Sequence, residues 1–292
     1  MKPINTPLRY PGGKQKLAPF ILELMNANNL VGGEYAEPYA GGAGVAIHLL
    51  LSGHVSRIHL NDSCVGVYSF WRSILTKTDE FCKRIANVPL TVPEWRRQKE
   101  IFSRPTEFNQ IDVGFSTFYL NRCNRSGILS GGLIGGPKQK GKWKMDARFN
   151  REELIRRIKA IAQKRKFIIV KNWDAEKFIL EYLPQLPEKS LVYCDPPYFH
   201  KAKWLYKNHY AKADHSRIAQ GIQKNVKQPW VVSYDGVVEV LEFYIERKSF
   251  LYELQYSADT AYKGMEAFFF SDNLKLPSSS SVSYIDEALK AS

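Results

Sequence analysis

Residues 34–62 constrain the fold more tightly than any other stretch of the chain. Glu34-Tyr-Ala-Glu37 reads as a short buried strand, Gly41-Gly42-Ala43-Gly44 as a glycine turn, and the apolar run from Ala43 as a helix that stops by Gly53. Arg57-Ile58-His59-Leu60 is then a second strand, closed by Asn61-Asp62. A strand, a glycine turn, a helix and a strand ending in an acid form the opening of a Rossmann-like α/β sheet. Phe167–Val170, Leu191–Cys194 and Trp230–Tyr234 continue the pattern as short, nearly unbroken apolar runs, expected of strands covered on both faces. Helical stretches at Asp174–Tyr182 and His215–Lys224 separate them. Phe250–Tyr256 and Ala267–Phe270 flank a turn-like 257–264 and predict an antiparallel hairpin at the end of the sheet. Periodicity leaves the strand order open.

Residues 72–165 break this pattern. They carry no buried-strand signal, several Trp and Arg residues, and a glycine-rich passage, Ser126–Pro137. From Lys138 to Lys171 thirteen Lys or Arg face three acids, which places +10 of the formal net charge of +13 in one segment. A mixed-sign run would read as a solvated helix face. Here one sign dominates, with glycines and aromatics interleaved, and a nucleic-acid surface is the stronger reading. The domain plan is therefore a catalytic α/β sheet from 1–71 and 166–292, with 72–165 as an inserted, mainly helical recognition domain.

With 44% hydrophobic and 13% aromatic residues the chain is too apolar to be disordered as a whole. The four cysteines lie far apart without a CxxC pair, and the six histidines lack a familiar metal spacing. The first residues, MKPINTPLRYPGGK, carry charge where a secretion signal is apolar, and no apolar run approaches the ~20 residues of a membrane span. The expectation is a cytoplasmic protein with no metal and no membrane partner. The serine-rich tail after Pro277 suggests a frayed end.

Two motifs carry chemistry. Gly41, Gly42 and Gly44 let the backbone approach a ligand at a helix N-terminus. Asp62, twenty residues after Gly42, can accept both hydroxyls of a ribose. Together they suggest an adenosine-type cofactor, without separating NAD from S-adenosylmethionine (AdoMet). Asp195-Pro196-Pro197-Tyr198 follows the strand Leu191–Cys194. Its prolines stop the strand and hold the backbone extended at the carboxyl end, where open α/β sheets bind ligands. The Asp195 carboxylate and the Pro196 carbonyl offer two acceptors, and Tyr198 an aromatic face. That set suits an amino group on a planar base.

With these motifs in order, the chain resembles the Dam-type DNA adenine methyltransferases over nearly its whole length. Leu8-Arg-Tyr10-Pro-Gly-Gly-Lys14 is similar to the family's N-terminal motif, Glu37–Gly44 to its AdoMet glycine motif, and Leu60-Asn61-Asp62 to its acidic motif. Phe118-Tyr-Leu-Asn121-Arg122 resembles the signature in its recognition region, and Asp195–Tyr198 its catalytic tetrad. The resemblance implies methylation of the adenine 6-amino group in double-stranded DNA, with AdoMet as donor and the target base flipped out. It implies AdoMet contacts from Tyr10, Lys14, Asp62 and Asp195, beside Glu37 and the three glycines. It also implies a flipped adenine held by Asp195, Pro196, Pro197 and Tyr198. Where the family often has an acid followed by an aromatic, this chain has Asn172-Trp173-Asp174, so either Asn172 or Asp174 is expected to meet the cofactor's adenine. The loop after Arg122 differs from the version associated with GATC, so no target sequence is carried over.

Arg122, Arg125, Lys138, Lys140, Lys142 and Lys144 are the expected DNA contacts, with Asn121 beside them and the passage around Trp143 as a hairpin entering a groove. Asn121 and Arg122 could equally bond loop carbonyls. No catalytic histidine or metal is expected, and a monomer is the default. A non-catalytic DNA-binding regulator would tolerate loss of Asp195 and Tyr198, and both are present. Methylation of RNA or of a protein glutamine is a further alternative. The basic insertion suits a duplex better than a peptide.

Overall fold

The computed structural model describes residues 6–9, 14–199, 210–258 and 260–277, with the side chains of 252–265 outside that description. Within them seven strands form one sheet: β1 (Glu34–Glu37), β2 (Arg57–Asn61), β3 (Ile168–Lys171), β4 (Ser190–Cys194), β5 (Trp230–Asp235), β6 (Lys248–Ala258) and β7 (Thr260–Phe270). Their order across the sheet is β3-β2-β1-β4-β5-β7-β6. The first five are parallel, and β7 runs antiparallel to both β5 and β6. The hairpin expected at the sheet's end is therefore present, but tighter than the sequence suggested. Ala258 pairs with Thr260, so the strands run through the stretch expected as a turn. Tyr256, Thr260 and Tyr262 there favour extended backbone as strongly as Ser257 and Gly264 favour a turn.

Strand composition follows from burial on both faces. On β4, Leu191 and Tyr193 enter one core cluster while Val192 and Cys194 enter the other; on β7, Phe268 and Phe270 separate from Ala267 and Phe269 in the same way. This is the period of two that puts successive side chains on opposite faces. Helices α1 (Ala18–Ala27) and α2 (Gly44–Leu51) cover the first face. The second is covered by α8 (Ala175–Lys177) with the π turn that continues it to Tyr182, by α9 (Lys212–Asn225) and by α10 (Val238–Phe243).

Between β2 and β3 the chain forms α3 (Val65–Thr76), α4 (Thr78–Asn87), α5 (Val92–Ser103), α6 (Gln110–Cys123) and α7 (Arg151–Gln163). Their centre is aromatic. Phe70 and Phe118 stack with centroids 5.9 Å apart, and Phe81 and Phe149 meet Phe118 edge-on. Helices α3 and α6 touch so closely that a Cβ on Gly114 would lie 2.5 Å from the Ser69 carbonyl oxygen. Phe70, Phe81 and Phe118 share one core cluster with Tyr35 and Leu60 of the sheet, so the helical insertion packs directly onto the sheet layer. The boundary expected at 72 falls inside α3, which leaves the sheet as the first helix of the insertion. No helix among the described residues is long and apolar enough to cross a membrane.

Residues 131–148 differ from expectation. They form turns, with one isolated bridge between Asn124 and Leu133, and no paired hairpin. The loop closes around Gln139, whose amide donates to the Ile134 and Gly136 carbonyls and accepts from the Met145 N–H at 3.0 Å. A strand ladder would need alternating side chains. The backbone here turns through the left-handed region instead, at Gly135, Gly136 and Gln139.

Candidate active site

β1 lies between β2 and β4, so the chain leaves it on one side and returns on the other. That reversal opens a crevice at the carboxyl ends of β1 and β4, the place where such sheets take ligands. The glycine turn follows β1 and the Asp195–Tyr198 corner follows β4, so the topology brings together two motifs some 150 residues apart in the chain. They line one cleft of about 550 Å³ with Lys14, Glu37, Asp62 and Tyr193, and residues 127–130 of the insertion complete its wall.

The glycine turn is held from behind. Trp71, fully buried on α3, donates its indole N–H to the Gly41 carbonyl at 3.0 Å. Asn61 ties three strand ends, donating to the Pro38 and Trp173 carbonyls and accepting from the Trp173 N–H. Ala43 sits in the left-handed region at φ 46°, which sharpens the turn into α2. A Cβ on Gly44 would stand 3.0 Å from the Gln15 Cβ, so this glycine serves close helix packing as well as the cleft.

The carboxylates differ in environment. Asp62 accepts the Gly41 and Cys64 N–H groups, each at 2.9 Å, and burial pushes it up to about 6 against those two bonds. Glu37 is buried and accepts from the Ala46 N–H; burial pushes it up to about 8, so it carries a proton at neutral pH. Asp195 faces the cleft, with its side chain 28% exposed. Its Oδ1 accepts from the Ser233 hydroxyl at 2.9 Å and lies 3.3 Å from the Lys14 ammonium. Ser233 is in turn paired with the Tyr193 hydroxyl at 2.8 Å. Burial and the nearby Glu266 charge raise the Asp195 carboxyl, and Lys14 and Ser233 oppose them. Burial also works against the charge on Lys14, but the two carboxylates outweigh it and hold the ammonium above its ordinary value.

Tyr198 is buried at the cleft wall, its hydroxyl donated to Glu266 Oε1 at 2.9 Å, and Lys14 Nζ lies 5.7 Å from its ring centroid. Pro196 and Pro197 line the same wall. The next residue, Phe199, anchors the corner by donating its N–H to Asp235 at 2.9 Å. Ser233, Asp235 and Glu266 were not singled out in the sequence. The one sign in the sequence is an acid directly before the apolar run Ala267-Phe-Phe-Phe270, and it does not reveal which residues that acid meets.

Other expected site residues scatter. Tyr10 lies outside the described residues. Asn172 and Asp174 are not among the residues that line the cleft. The Asn172 amide donates to the Asp62 carbonyl at 2.7 Å, and exposed Asp174 caps α8 through the Glu176 and Lys177 N–H groups. Asn121 is fully buried, accepting from the Arg9 N–H and donating to the Arg9 and Gly127 carbonyls. Arg122 is buried and donates to the Arg148 and Pro7 carbonyls, and burial with the Arg9 and Arg157 charges lowers it to about 9. Both therefore occupy the loop-bonding positions given above as the alternative, because α6 runs through the core and turns them inward. Arg125, Lys138, Lys140, Lys142 and Lys144 are exposed, with Trp143 among them at 68% exposure.

Comparison with curated proteins finds no match. Among solved structures the chain is similar to the rRNA methyltransferase aviRa from Streptomyces viridochromogenes, at 11% identity over 89% of this chain and 85% of that one, with a TM-score of 0.35. So distant a likeness carries nothing about substrate. A family model is decisive: residues 10–262 match D12 class N6 adenine-specific DNA methyltransferase, a span that holds the glycine turn, Asp62, the helical insertion and the Asp195 corner. With both halves of the cleft inside that match, the chain belongs to the D12 class of N6 adenine-specific DNA methyltransferases.

Proposed function

We propose that the protein transfers the methyl group of AdoMet to the 6-amino group of an adenine extruded from double-stranded DNA, at the cleft shared by the glycine turn and the Asp195 corner. One observation carries this reading. Asp195 Oδ1 is engaged by Ser233 and Lys14, while Oδ2 has no hydrogen-bond partner among the described residues and the side chain faces the cleft.

The cleft fits the cofactor. Its volume lies within the range of about 300–1,000 Å³ typical of small-molecule sites. Each Asp62 oxygen accepts one backbone N–H, which leaves a lone pair on each for a ribose hydroxyl. Asp62, Gly41, Gly42 and Gly44 would hold the nucleoside, and Lys14 the polar end. When bound, AdoMet supplies a methyl group already activated by its sulfonium.

The chain's own task is to improve a poor nucleophile. The adenine amino lone pair is delocalised into the ring. Asp195 Oδ2 and the Pro196 carbonyl each accept one N–H, favour a tetrahedral nitrogen, and stabilise the positive charge that develops there. Tyr198 packs on the base and fixes its plane. The methylated amine is acidic and loses its proton readily, so the site needs no strong base. Extruding the base costs a few kcal/mol, and phosphate contacts from Arg125 and the Lys138–Lys144 loop offset part of it.

The test incubates the protein with methyl-labelled AdoMet and duplexes of varied sequence. Label in N6-methyladenine is the expected product. A folded protein that binds AdoMet and labels RNA or protein, but no DNA adenine, would overturn the proposal.

A further inference from the structure

Glu266 is the most deeply buried acid near the cleft and belongs to none of the motifs that define it. It stands on β7 opposite Asp235, fully shielded from solvent, and is absent from the residues that line the cleft. Its two oxygens are divided. Oε1 accepts the Tyr198 hydroxyl at 2.9 Å, and Oε2 receives the Lys14 ammonium. Lys14 lies between two carboxylates and makes the closer contact with Glu266, standing 3.3 Å from Asp195 Oδ1. An ammonium with one carboxylate neighbour would close onto it, because an unpaired buried charge is expensive. Here the second carboxylate holds it back.

We propose that Glu266 is the positioning residue of this site: it anchors the Tyr198 ring through its hydroxyl and draws Lys14 away from Asp195, leaving the Asp195 carboxylate open to the base. The inference rests on the reading of Asp195 given above. Among the described residues the ionisable groups near Glu266 include Lys14 from the turn before α1, Tyr198 and Asp195 from the corner, Tyr193 from β4, and Asp235, its cross-strand partner on β5; Glu37 and Cys194 also border Asp195. Because Glu266 touches only other residues of the chain, its loss should alter how the site titrates. A purely structural residue would change stability or rate alone.

The experiment measures kcat against pH for the full chain and for Glu266→Gln, which keeps the shape and an acceptor for Tyr198 but removes the charge. Label transfer by the unaltered protein is scored first, and its absence defeats the methyltransfer reading; every later outcome bears on Glu266 alone. With Lys14 released onto Asp195, kcat is expected to fall by about tenfold or more, and the acid limb to move down by about one pH unit. The charge-keeping Glu266→Asp should leave the limb where it was. A folded E266Q with an unmoved limb overturns the inference, whatever its rate, as does a limb that moves equally in E266D. Should E266Q fail to fold, the paired variant K14Q/E266Q removes one charge of each sign. Asp195 then loses both the Lys14 charge that lowers it and the Glu266 charge that raises it, and because Lys14 is the stronger influence the limb is expected above that of the unaltered protein; a limb at or below it overturns the inference.

Discussion

Ser233 offers the sharpest perturbation, because it touches Asp195 without lining the cleft. Its hydroxyl donates to Asp195 Oδ1 at 2.9 Å and pairs with the Tyr193 hydroxyl at 2.8 Å, and the residue is fully buried. Ser233→Ala removes one hydrogen bond to an ionised carboxylate and leaves a buried phenol short of a partner. A bond to a charged group contributes about 1.5–3 kcal/mol. Asp195 is 28% exposed, so solvent screens part of this and the lower end applies. About 1.5–2 kcal/mol corresponds to a loss of about 10- to 30-fold in kcat/KM at neutral pH. The sign with pH follows from linkage. Burial already raises Asp195, and Ser233 is one of the groups holding it down. Without that bond the carboxyl rises further, so the acid limb of kcat/KM moves to higher pH by about one unit. Label transfer to duplex DNA measured from pH 5 to 9 reads both quantities, and much of the loss should be recovered on the alkaline side. An acid limb that stays in place or moves down would refute the reasoning, since it would mean Asp195 does not act as an ionised acceptor. The direction is opposite to that expected for Glu266→Gln, so the two variants check each other.

Stability should carry the mark of Glu37. Its carboxyl is pushed by burial from 4.5 up to about 8 in the folded protein, so its contribution is fully present below about 4.5 and is lost as pH rises through about 8. Glu37→Gln, which cannot ionise, should flatten the decline of Tm between pH 5 and 8; an unchanged slope would place the pH dependence elsewhere. Changing Lys138, Lys140, Lys142 and Lys144 together to Gln should leave Tm nearly unaltered, because all four are exposed. The slope of log affinity for duplex DNA against log salt should fall by about 0.9 for each lysine that meets a phosphate. A slope equal to that of the unaltered protein would remove the loop from the interface. Asp62→Asn should weaken AdoMet binding in calorimetry by about tenfold, as one ribose acceptor is replaced by a donor, and unchanged affinity would move the cofactor elsewhere.

The strands themselves, the glycine turn and the acidic strand end are readable because each depends on local pattern: apolar runs of four to six residues, glycines at a turn, prolines that stop a strand. The pairing of β1 with β4 was not, since period-two apolarity is the same for every buried strand. The cleft's floor was invisible for the same reason. Ser233 and Glu266 meet Asp195 and Lys14 only through lateral neighbours in the sheet, and no spacing along the chain encodes that. Asn121 and Arg122 show the converse. A motif of polar residues on a helix reads as a binding surface, yet α6 is buried nearly all round, and these side chains bond the loops that carry Arg9, Gly127 and Arg148. The turns of 131–148 read in the sequence as a hairpin because glycine-rich sequence serves both, and the Gln139 amide at their centre resembles any surface glutamine.

A crystal structure of the protein with an unmethylated duplex and demethylated AdoMet would show where the base sits. The amino nitrogen of an extruded adenine should lie within hydrogen-bond distance, about 3 Å, of Asp195 Oδ2 and the Pro196 carbonyl, with its ring against Tyr198. An adenine still stacked in the duplex, or seated away from residues 195–198, would contradict it.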